Sequence, residues 1–378
     1  MTTPVAPHPE TPVAARPVAP AVPHPEERIP KGEDRDIEAI TRISLDILDT
    51  SRRPVRRGQH PKHHGCVKAE FIVGDDVPQD LRVGLFGRPA THPAWIRFSN
   101  GSQDDDGLGD IHGMAIKLMG IPGEKVLEDE RNETTQDFVL MDNPVFFSRD
   151  ARSNRALAEA IERTAAPSRL MTFLKLFTAT GREQRSAYLA LTHFLMGFRF
   201  HELTALRAAV SKMPRSPLEI TYWSATPYAL GDRAVKYSAR PHRRPADVPE
   251  PTDMLSADRL RAAMAAHLDR AEARFDFMVQ LRDPPGNRAM PVEDATIEWD
   301  ETKWPFRKVA TIVIPEQTFD TPARMEFCSN LSNTPWHSLP EHRPIGGINR
   351  ARRVVYEVLS RKRHELNHAP RVEPVPEP

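Results

Sequence analysis

Residues 94–99 read AWIRFS, a short apolar run that lies between a Pro and an Asn-Gly pair. Successive side chains of an extended strand point to opposite faces, so Ile96 and Phe98 share one face while Arg97 and Ser99 share the other. Turn-forming residues at both ends and the length of the run are typical of a strand. The pattern therefore predicts a β-strand with one apolar and one polar face.

Seven other runs have the same length and the same kind of boundary. They are CVKAEFIV (66–73), GMAIKLMG (113–120), DFVLMD (137–142), LEITYWSA (218–225), RAVKYSAR (233–240), RFDFMVQLR (274–282) and KVATIVIP (308–315). The eight predicted strands form two groups of four, with helical sequence between and after them. This order favours an α+β fold built on a closed eight-stranded antiparallel barrel with a helical insertion. A two-layer α+β sandwich fits the pattern nearly as well.

Helical periodicity accounts for most of the remaining chain. Residues 36–50 place isoleucines and a leucine on one face of a packing helix. Further helical patterns occur at 156–165, 170–177 and 187–198, between the two strand groups, and at 256–273 before the seventh predicted strand.

Composition limits the class of protein. The 378 residues carry 52 basic and 52 acidic side chains, so no overall charge selects nucleic acid or an anionic membrane as partner. No apolar stretch is long enough to span a membrane, and two cysteines are too few and too far apart in sequence to predict a disulfide framework. We expect a cytoplasmic protein, and a homo-oligomer is compatible with the sequence.

Both chain ends are rich in proline. Residues 1–34 and 369–378 are predicted to be disordered tails because they cannot bury enough apolar surface to fold. No second linker of this kind interrupts residues 35–368, which are therefore predicted to be one domain.

Tyr356 lies in a helical segment crowded with arginines, four residues after Arg352 and seven before Arg363. A phenol has an unperturbed pKa of about 10, and a nearby guanidinium favours its ionised form. Tyr356 is thus a candidate anionic oxygen ligand, although an arginine-flanked tyrosine of this kind is usually a surface or interface residue.

Polar side chains precede and follow the predicted strands. Residues 56–71 read RRGQHPKHHGCVKAEF, which places His60, His63 and His64 close to Arg57. The histidines could bind zinc, but cysteine and carboxylate partners at metal spacing are missing nearby, and solvated loop histidines are an equally good reading.

Arg97 raises a different requirement. If it points inward together with Ser99, it needs an anionic partner, since an unpaired buried charge costs several kcal/mol. A protein carboxylate or a cofactor propionate would serve.

The stretch NPVFF sets Asn143 beside Phe146 and Phe147. Two large aromatic rings in a loop indicate either a flat ligand that packs there or an apolar hinge into the helical insertion.

These pieces occur in an order that resembles the haem-containing catalases. RRGQHPKHHG resembles the motif of the distal histidine, IRFSNG the strand that supports it, and GDIHGMAIKL and QDFVLMDNPVFF the next two strands with the distal asparagine loop. Residues 297–314 and 319–347 resemble the last barrel strand and the connection to the proximal side. The likeness covers roughly residues 55–365 and is greatest to the short catalase-related haem proteins. It implies a catalase-like barrel with a C-terminal proximal helix.

The resemblance implies a role for each candidate residue around haem b and its iron. On the proximal side Tyr356 would be the axial iron ligand, and Arg352 would keep it ionised. On the distal side His60 would move protons, Ser99 would hold His60, and Asn143 would orient peroxide.

The remaining candidates would contact the cofactor itself. They are Arg57, Arg97 and Arg363, which would bind the haem propionates, and Phe146 or Phe147, which would pack near the distal pocket.

The implied activity is the dismutation of hydrogen peroxide in defence against oxidative stress. Gln59 and Gly101 replace larger or apolar residues of the family and suggest a wider channel. A haem peroxidase or a converter of organic or lipid hydroperoxides therefore stays open, as does a haem-binding protein with little turnover.

Overall fold

A computed structural model describes residues 23–163, 200–246, 248 and 256–376. The helical predictions at 170–177 and 187–198 and most of the predicted N-terminal tail lie outside these residues. Within the described ranges, no helix is both long and apolar enough to cross a membrane.

Nine strands form one antiparallel sheet. They are β1 (His63–Val73), β2 (Ala90–Asn100), β3 (His112–Met119), β4 (Thr135–Met141), β5 (Tyr222–Trp223), β6 (Tyr228–Leu230), β7 (Arg233–Pro241), β8 (Ala273–Leu281) and β9 (Arg307–Ile314). Their order is β5-β4-β3-β2-β1-β9-β8-β7-β6, and β5 also pairs with β7. That last pairing closes eight strands into a ring and leaves β6 as a short hairpin partner of β7. The predicted barrel is confirmed, and the open two-layer alternative is wrong.

The barrel interior is filled by the apolar side chains that alternate along each strand. Ile96 and Phe98 are fully buried there, in one cluster with Phe71, Phe138 and Phe277. The aromatic rings contact one another, with centroids 4.8 Å apart for Phe138 and Phe277.

The polar face of β2 points away from this interior. Arg97 and Ser99 are nevertheless buried, because their face is covered by the C-terminal helix and borders a cavity there. A closed barrel turns the apolar alternates toward its own axis, so the polar alternates of β2 lie on its outer face. The expectation that they are buried was correct.

Six helices are described outside the barrel. They are α1 (Glu33–Asp46), α2 (Ala151–Arg163), α3 (Phe200–Val210), α4 (Arg259–Leu268), α5 (Pro322–Asn330) and α6 (Gly347–Leu366). The helix expected over residues 36–50 begins earlier and ends earlier than predicted. Ile37 and Ile40 of α1 pack against Ala351 and Val355 of α6 and Ala151 of α2. This contact fixes the helix that carries Tyr356 beside the barrel.

The first turn of α6 is held by a buried ionic cluster. Arg350 donates to Glu33 at 2.6 Å and to Glu293 at 2.8 Å, and it also pairs with Glu27. Burial lowers the pKa of Arg350, but hydrogen bonds and charges of Glu33 and Glu293 outweigh burial and raise it above its ordinary value. The segment before α1 thus anchors the start of α6.

Residues 369–376, which belong to the segment predicted to be a disordered tail, contact the barrel. Glu373 binds Lys117 at 2.6 Å, and Asp137 binds the same ammonium at 2.8 Å. Lys117 is fully buried, so the carboxylates supply the negative charge that its burial requires.

Candidate functional site

His60 lies in the loop just before β1, against the outer face of the sheet. Its backbone has a positive φ of 53°, and its N–H donates to the carbonyl of Gly101 at 3.0 Å. Its Nδ1 is 3.1 Å from the hydroxyl of Ser99. A Cβ at Gly113 would lie 2.7 Å from the imidazole, so only glycine leaves room for the ring there. Backbone, strand and serine together fix the orientation of His60.

The surroundings of His60 keep it neutral. Burial, together with the nearby charges of Arg97, Arg352 and Arg57, lowers its pKa from 6.5 to about 3. The imidazole therefore remains a proton acceptor at physiological pH.

Three guanidinium groups meet next to His60. Arg97 and Arg363 are buried and Arg57 is half-buried. Their hydrogen bonds go to neutral groups: Arg57 to the carbonyl of Leu331, Arg97 to that of His60 at 2.8 Å, and Arg363 to that of Ser329. Among the described residues no carboxylate pairs with any of the three.

The guanidiniums repel one another. Loss of hydration lowers the pKa of Arg57, and the charges of Arg97 and Arg363 add to that effect. Burial and the charge of Arg97 likewise lower the pKa of Arg363 to about 10. The buried Nε atoms of Arg57 and Arg97 also have no hydrogen-bond partner in the described chain. This excess of buried positive charge favours binding of an anion.

Tyr356 lies on α6 opposite His60. Arg352, one helical turn earlier, donates to the phenol oxygen at 3.3 Å and to Asn349 at 3.2 Å. The guanidinium carbon of Arg352 is 5.2 Å from the centre of the Tyr356 ring. Burial lowers the pKa of Arg352, but the neighbouring tyrosine oxygens outweigh this and raise it. The predicted pairing of Arg352 with Tyr356 is thus present as a direct contact.

Two adjoining cavities bring the candidate residues together. His60 and Tyr356 line both of them. The first is otherwise bordered by the predicted residues Arg57, Arg97, Ser99 and Arg363, and the second by Arg352, Phe146 and Phe147.

Solved structures of catalases share this architecture. A bacterial catalase matches with a TM-score of 0.60 at 17% identity, over 96% of this chain and 68% of that one. Catalase A from Saccharomyces cerevisiae gives 0.58 and 18%, over 86% and 65%, and a fungal catalase gives 0.57 and 17%, over 86% and 63%. The chain has the catalase fold. It spans about two thirds of the length of these catalases.

No protein-family model matches the sequence, and no curated protein matches it either. The likeness to the catalases is therefore one of fold, at low sequence identity.

Asn143 is a further candidate that the resemblance implies. Asn143 does not line either cavity. Its Nδ2 donates to the carbonyl of Val145 at 2.8 Å, and its Oδ1 accepts from Lys212 at 3.3 Å. The side chain that borders the second cavity from the end of β4 is instead Met141. The role in orienting peroxide that the resemblance implies for Asn143 stays a prediction.

The cavity also has residues that sequence reasoning missed. Gly113, Ala115 and Val139 share the outer face of β3 and β4 with Ser99 and Arg97 of β2. Their short side chains form the floor of the first cavity. Counting alternate residues along β3 from Gly113 could have predicted which side chains lie on that face.

Asn333 is a second missed residue. It lines the first cavity, and neither atom of its side-chain amide has a partner within the described chain. It lies in the connection that resembled the catalases, where no single residue stood out in the sequence.

The three histidines before and in β1 do not converge. His60 contacts Ser99, His63 contacts Ser329 at 2.9 Å, and His64 contacts Asn100 at 2.9 Å. No group of three or more metal-binding side chains occurs in the portion of the chain that the structure describes. The zinc interpretation finds no support in this arrangement.

Proposed function

We propose that the protein is a haem-dependent oxidoreductase that dismutates hydrogen peroxide, with Tyr356 as the axial ligand of haem b. The observation that carries the proposal is a single one. His60 and Tyr356 line the same cavity, in whose wall Arg57, Arg97 and Arg363 have no carboxylate partner.

The residues fit haem by charge and shape. Two propionate groups would supply the negative charge that the three guanidiniums need, with bidentate pairing open to each arginine. The floor formed by Gly113, Ala115 and Val139 would accept a flat ring without steric conflict. Tyr356 would bind the iron through its phenol oxygen, and Arg352 would stabilise the negative charge on that oxygen.

His60 would move the protons. When bound, haem supplies an iron centre that exchanges electrons with peroxide. Ser99 holds Nδ1 of the imidazole and leaves Nε2 for the substrate. Because His60 is neutral, Nε2 can take a proton from one peroxide oxygen and return it to the other as the bond between them breaks. Asn143 would orient the peroxide, as the resemblance implies.

One observation favours a second substrate class. The second cavity is lined largely by apolar side chains from α1, α2, α3 and the loop after β4; they include Ile40, Ile43, Leu157, Leu206, Phe146 and Phe147. An organic hydroperoxide with an apolar tail would bury that tail there, so a hydroperoxide-converting activity is the second candidate function.

The test starts with purified full-length protein loaded with haemin. A Soret band and oxygen release on addition of hydrogen peroxide are expected. Turnover of cumene hydroperoxide with a reducing dye, without oxygen release, would favour the second candidate. A Soret band with neither reaction would reject both enzymatic proposals and leave a haem-binding protein.

A further inference from the structure

A buried ion pair lies next to the loop that carries His60. The side chains of Lys62 and Asp106 are both buried, and the ammonium of Lys62 is 2.7 Å from Oδ1 of Asp106. Neither residue lines the two cavities that His60 and Tyr356 border. The pair is therefore not placed to touch a ligand there, and any influence on the site has to pass through the residues that it holds.

The carboxylate of Asp106 joins the two chain segments that carry His60 and Ser99. Its Oδ1 accepts from the ammonium of Lys62, which comes two residues after His60. The same oxygen accepts from Nδ2 of Asn100 at 2.8 Å, one residue after Ser99. The two segments are also paired through their backbones, since the N–H of Asn100 donates to the carbonyl of Lys62 at 3.0 Å. One carboxylate oxygen thus bridges the neighbours of both members of the His60–Ser99 contact.

The other oxygen of Asp106 binds this assembly to helix α4. Oδ2 accepts from the N–H of Leu260 at 2.9 Å, in the first turn of α4, where helix N–H groups lack partners within the helix. Arg259 of the same turn donates to the main-chain carbonyl of Asp106 at 2.8 Å. Asp106 is therefore held by a helix on one side while it holds the His60 loop on the other.

His60 needs such support because of its backbone conformation. Its φ of 53° lies in the left-handed region, which residues other than glycine seldom adopt unless the surrounding structure holds them there. Proton transfer by an imidazole also requires hydrogen-bond reach to the reacting atom, so a displaced ring loses much of its effect. A loop without the bridge would relax and carry the imidazole away from Ser99.

We propose that Asp106 is a positioning residue, which holds His60 in its reactive orientation by bridging Lys62 and Asn100. The inference rests on the proposed function, in which His60 transfers protons. It assigns to Asp106 no contact with peroxide or haem. Loss of the carboxylate is expected to loosen the His60 loop and to leave Tyr356 on α6 in place.

Hydrogen exchange in the full-length chain without haem tests the bridge itself. Asp106→Asn keeps the size of the side chain, replaces one acceptor oxygen by a donor and removes the charge that pairs with Lys62. The amides of His60 and Asn100 are expected to exchange about tenfold faster in this variant, because the bonds that protect them open more often. Equal exchange in the variant and the unmodified chain would overturn the proposal.

Asp104→Asn is the matched control for this measurement. It removes the same charge from the same loop, but from an exposed carboxylate that pairs with Arg56. Its main-chain carbonyl, which accepts from Lys62 at 2.9 Å, stays in place. The exchange of the His60 amide should match that of the unmodified chain. An equal acceleration in both variants would show that loop charge, and not the bridge, protects His60, and would reject the proposal.

A double-mutant cycle in the haem-loaded protein separates positioning from a general loss of structure. Asp106→Asn should lower the kcat for hydrogen peroxide by about 10- to 100-fold while the Soret absorbance per chain stays the same. In a chain that already carries His60→Ala, the same substitution should have little further effect, since no imidazole is left to position. A similar loss in both backgrounds would reject the positioning role.

Failure of this inference differs from failure of the proposed function. An unmodified haem-loaded chain without peroxide turnover would reject the proposed function and the role of Asp106 with it. Equal turnover in Asp106→Asn and the unmodified chain would reject the role of Asp106 alone. Should Asp106→Asn fail to fold, Lys62→Met removes the same link from the other side. It is expected to give the same exchange and the same cycle with His60→Ala, and unchanged values would overturn the proposal.

Discussion

Burial of side chains has different consequences on the two faces of strands β2, β3 and β4. On the inner face Ile96, Phe98 and Phe138 are buried among other apolar side chains, and nothing is left to bind. On the outer face Arg97 is buried as well, next to Arg57 and Arg363. No carboxylate of the described chain balances the charges of these three arginines. Burial on one side therefore stabilises the fold, while burial on the other creates a demand for a ligand. Substitutions on the two faces should separate these roles.

The largest effect is expected at Tyr356. Tyr356→Phe removes the one oxygen that Arg352 contacts on this ring and should abolish or greatly weaken haem binding. The Soret absorbance per chain after haemin loading measures this. Tyr222→Phe is the matched control on the inner face, where the hydroxyl bonds only the carbonyl of Pro217. Equal haem content in Tyr356→Phe and the unmodified chain would reject the axial role.

His60→Ala should keep haem but lose peroxide turnover by about 10²- to 10⁴-fold, the usual contribution of a positioned acid–base group. Oxygen release and the spectral change on mixing with peroxide are the two readouts. An unchanged rate of the spectral change would remove His60 from proton transfer.

On the inner face, Phe138→Ala should reduce the free energy of unfolding by about 3–5 kcal/mol, because it leaves a cavity among the packed rings. Urea unfolding of the haem-free chain measures the loss. The folded fraction should still bind haem at the original ratio. A loss of haem binding without a loss of stability would contradict the division between the two faces.

The pH dependence of the free energy of unfolding should also reveal the burial of His60 on the outer face. The folded pKa of His60 is about 3 and its unfolded value is 6.5, so between these values the unfolded chain binds more protons. Stability is therefore lost as pH falls below about 6.5. His60→Gln should reduce that acid sensitivity by about 1–3 kcal/mol between pH 7 and pH 4. The comparison uses urea unfolding at both pH values, and an unchanged slope would show that His60 is protonated in the folded state.

The smallest effect is expected when one unbalanced cation is removed. Arg97→Met in the haem-free chain should leave the free energy of unfolding within about 1 kcal/mol or raise it, since a buried charge without an ion partner gives little stability. The same variant should bind haemin more weakly. A large loss of stability would show that Arg97 is already compensated.

Much of the barrel could be predicted because strand alternation is a local signal. Seven of the predicted strands occur close to their predicted bounds, the one predicted over 218–225 is reduced to Tyr222–Trp223, and β6 was not predicted. Alternation cannot say which face of a strand lies inside a closed ring, so the sequence predicted the burial of Arg97 but not that it lies on the outer face of the barrel. That depends on the pairing of β5 with β7, which no local pattern encodes.

The site was predictable only where several motifs agreed. His60 and Tyr356 are separated in sequence by almost the whole length of the domain. Only the order of the motifs, which resembles that of the catalases, predicted that the two residues share a site.

The ionic cluster at Arg350 has a consequence for biosynthesis. It joins Glu27 and Glu33, which leave the ribosome early, to the helix that carries Tyr356, which leaves late. A nascent chain can close its barrel strands as far as β9 and still lack the tyrosine. On the proposed function, haem would therefore bind only after α6 has been translated and has met the segment around Glu27 and Glu33.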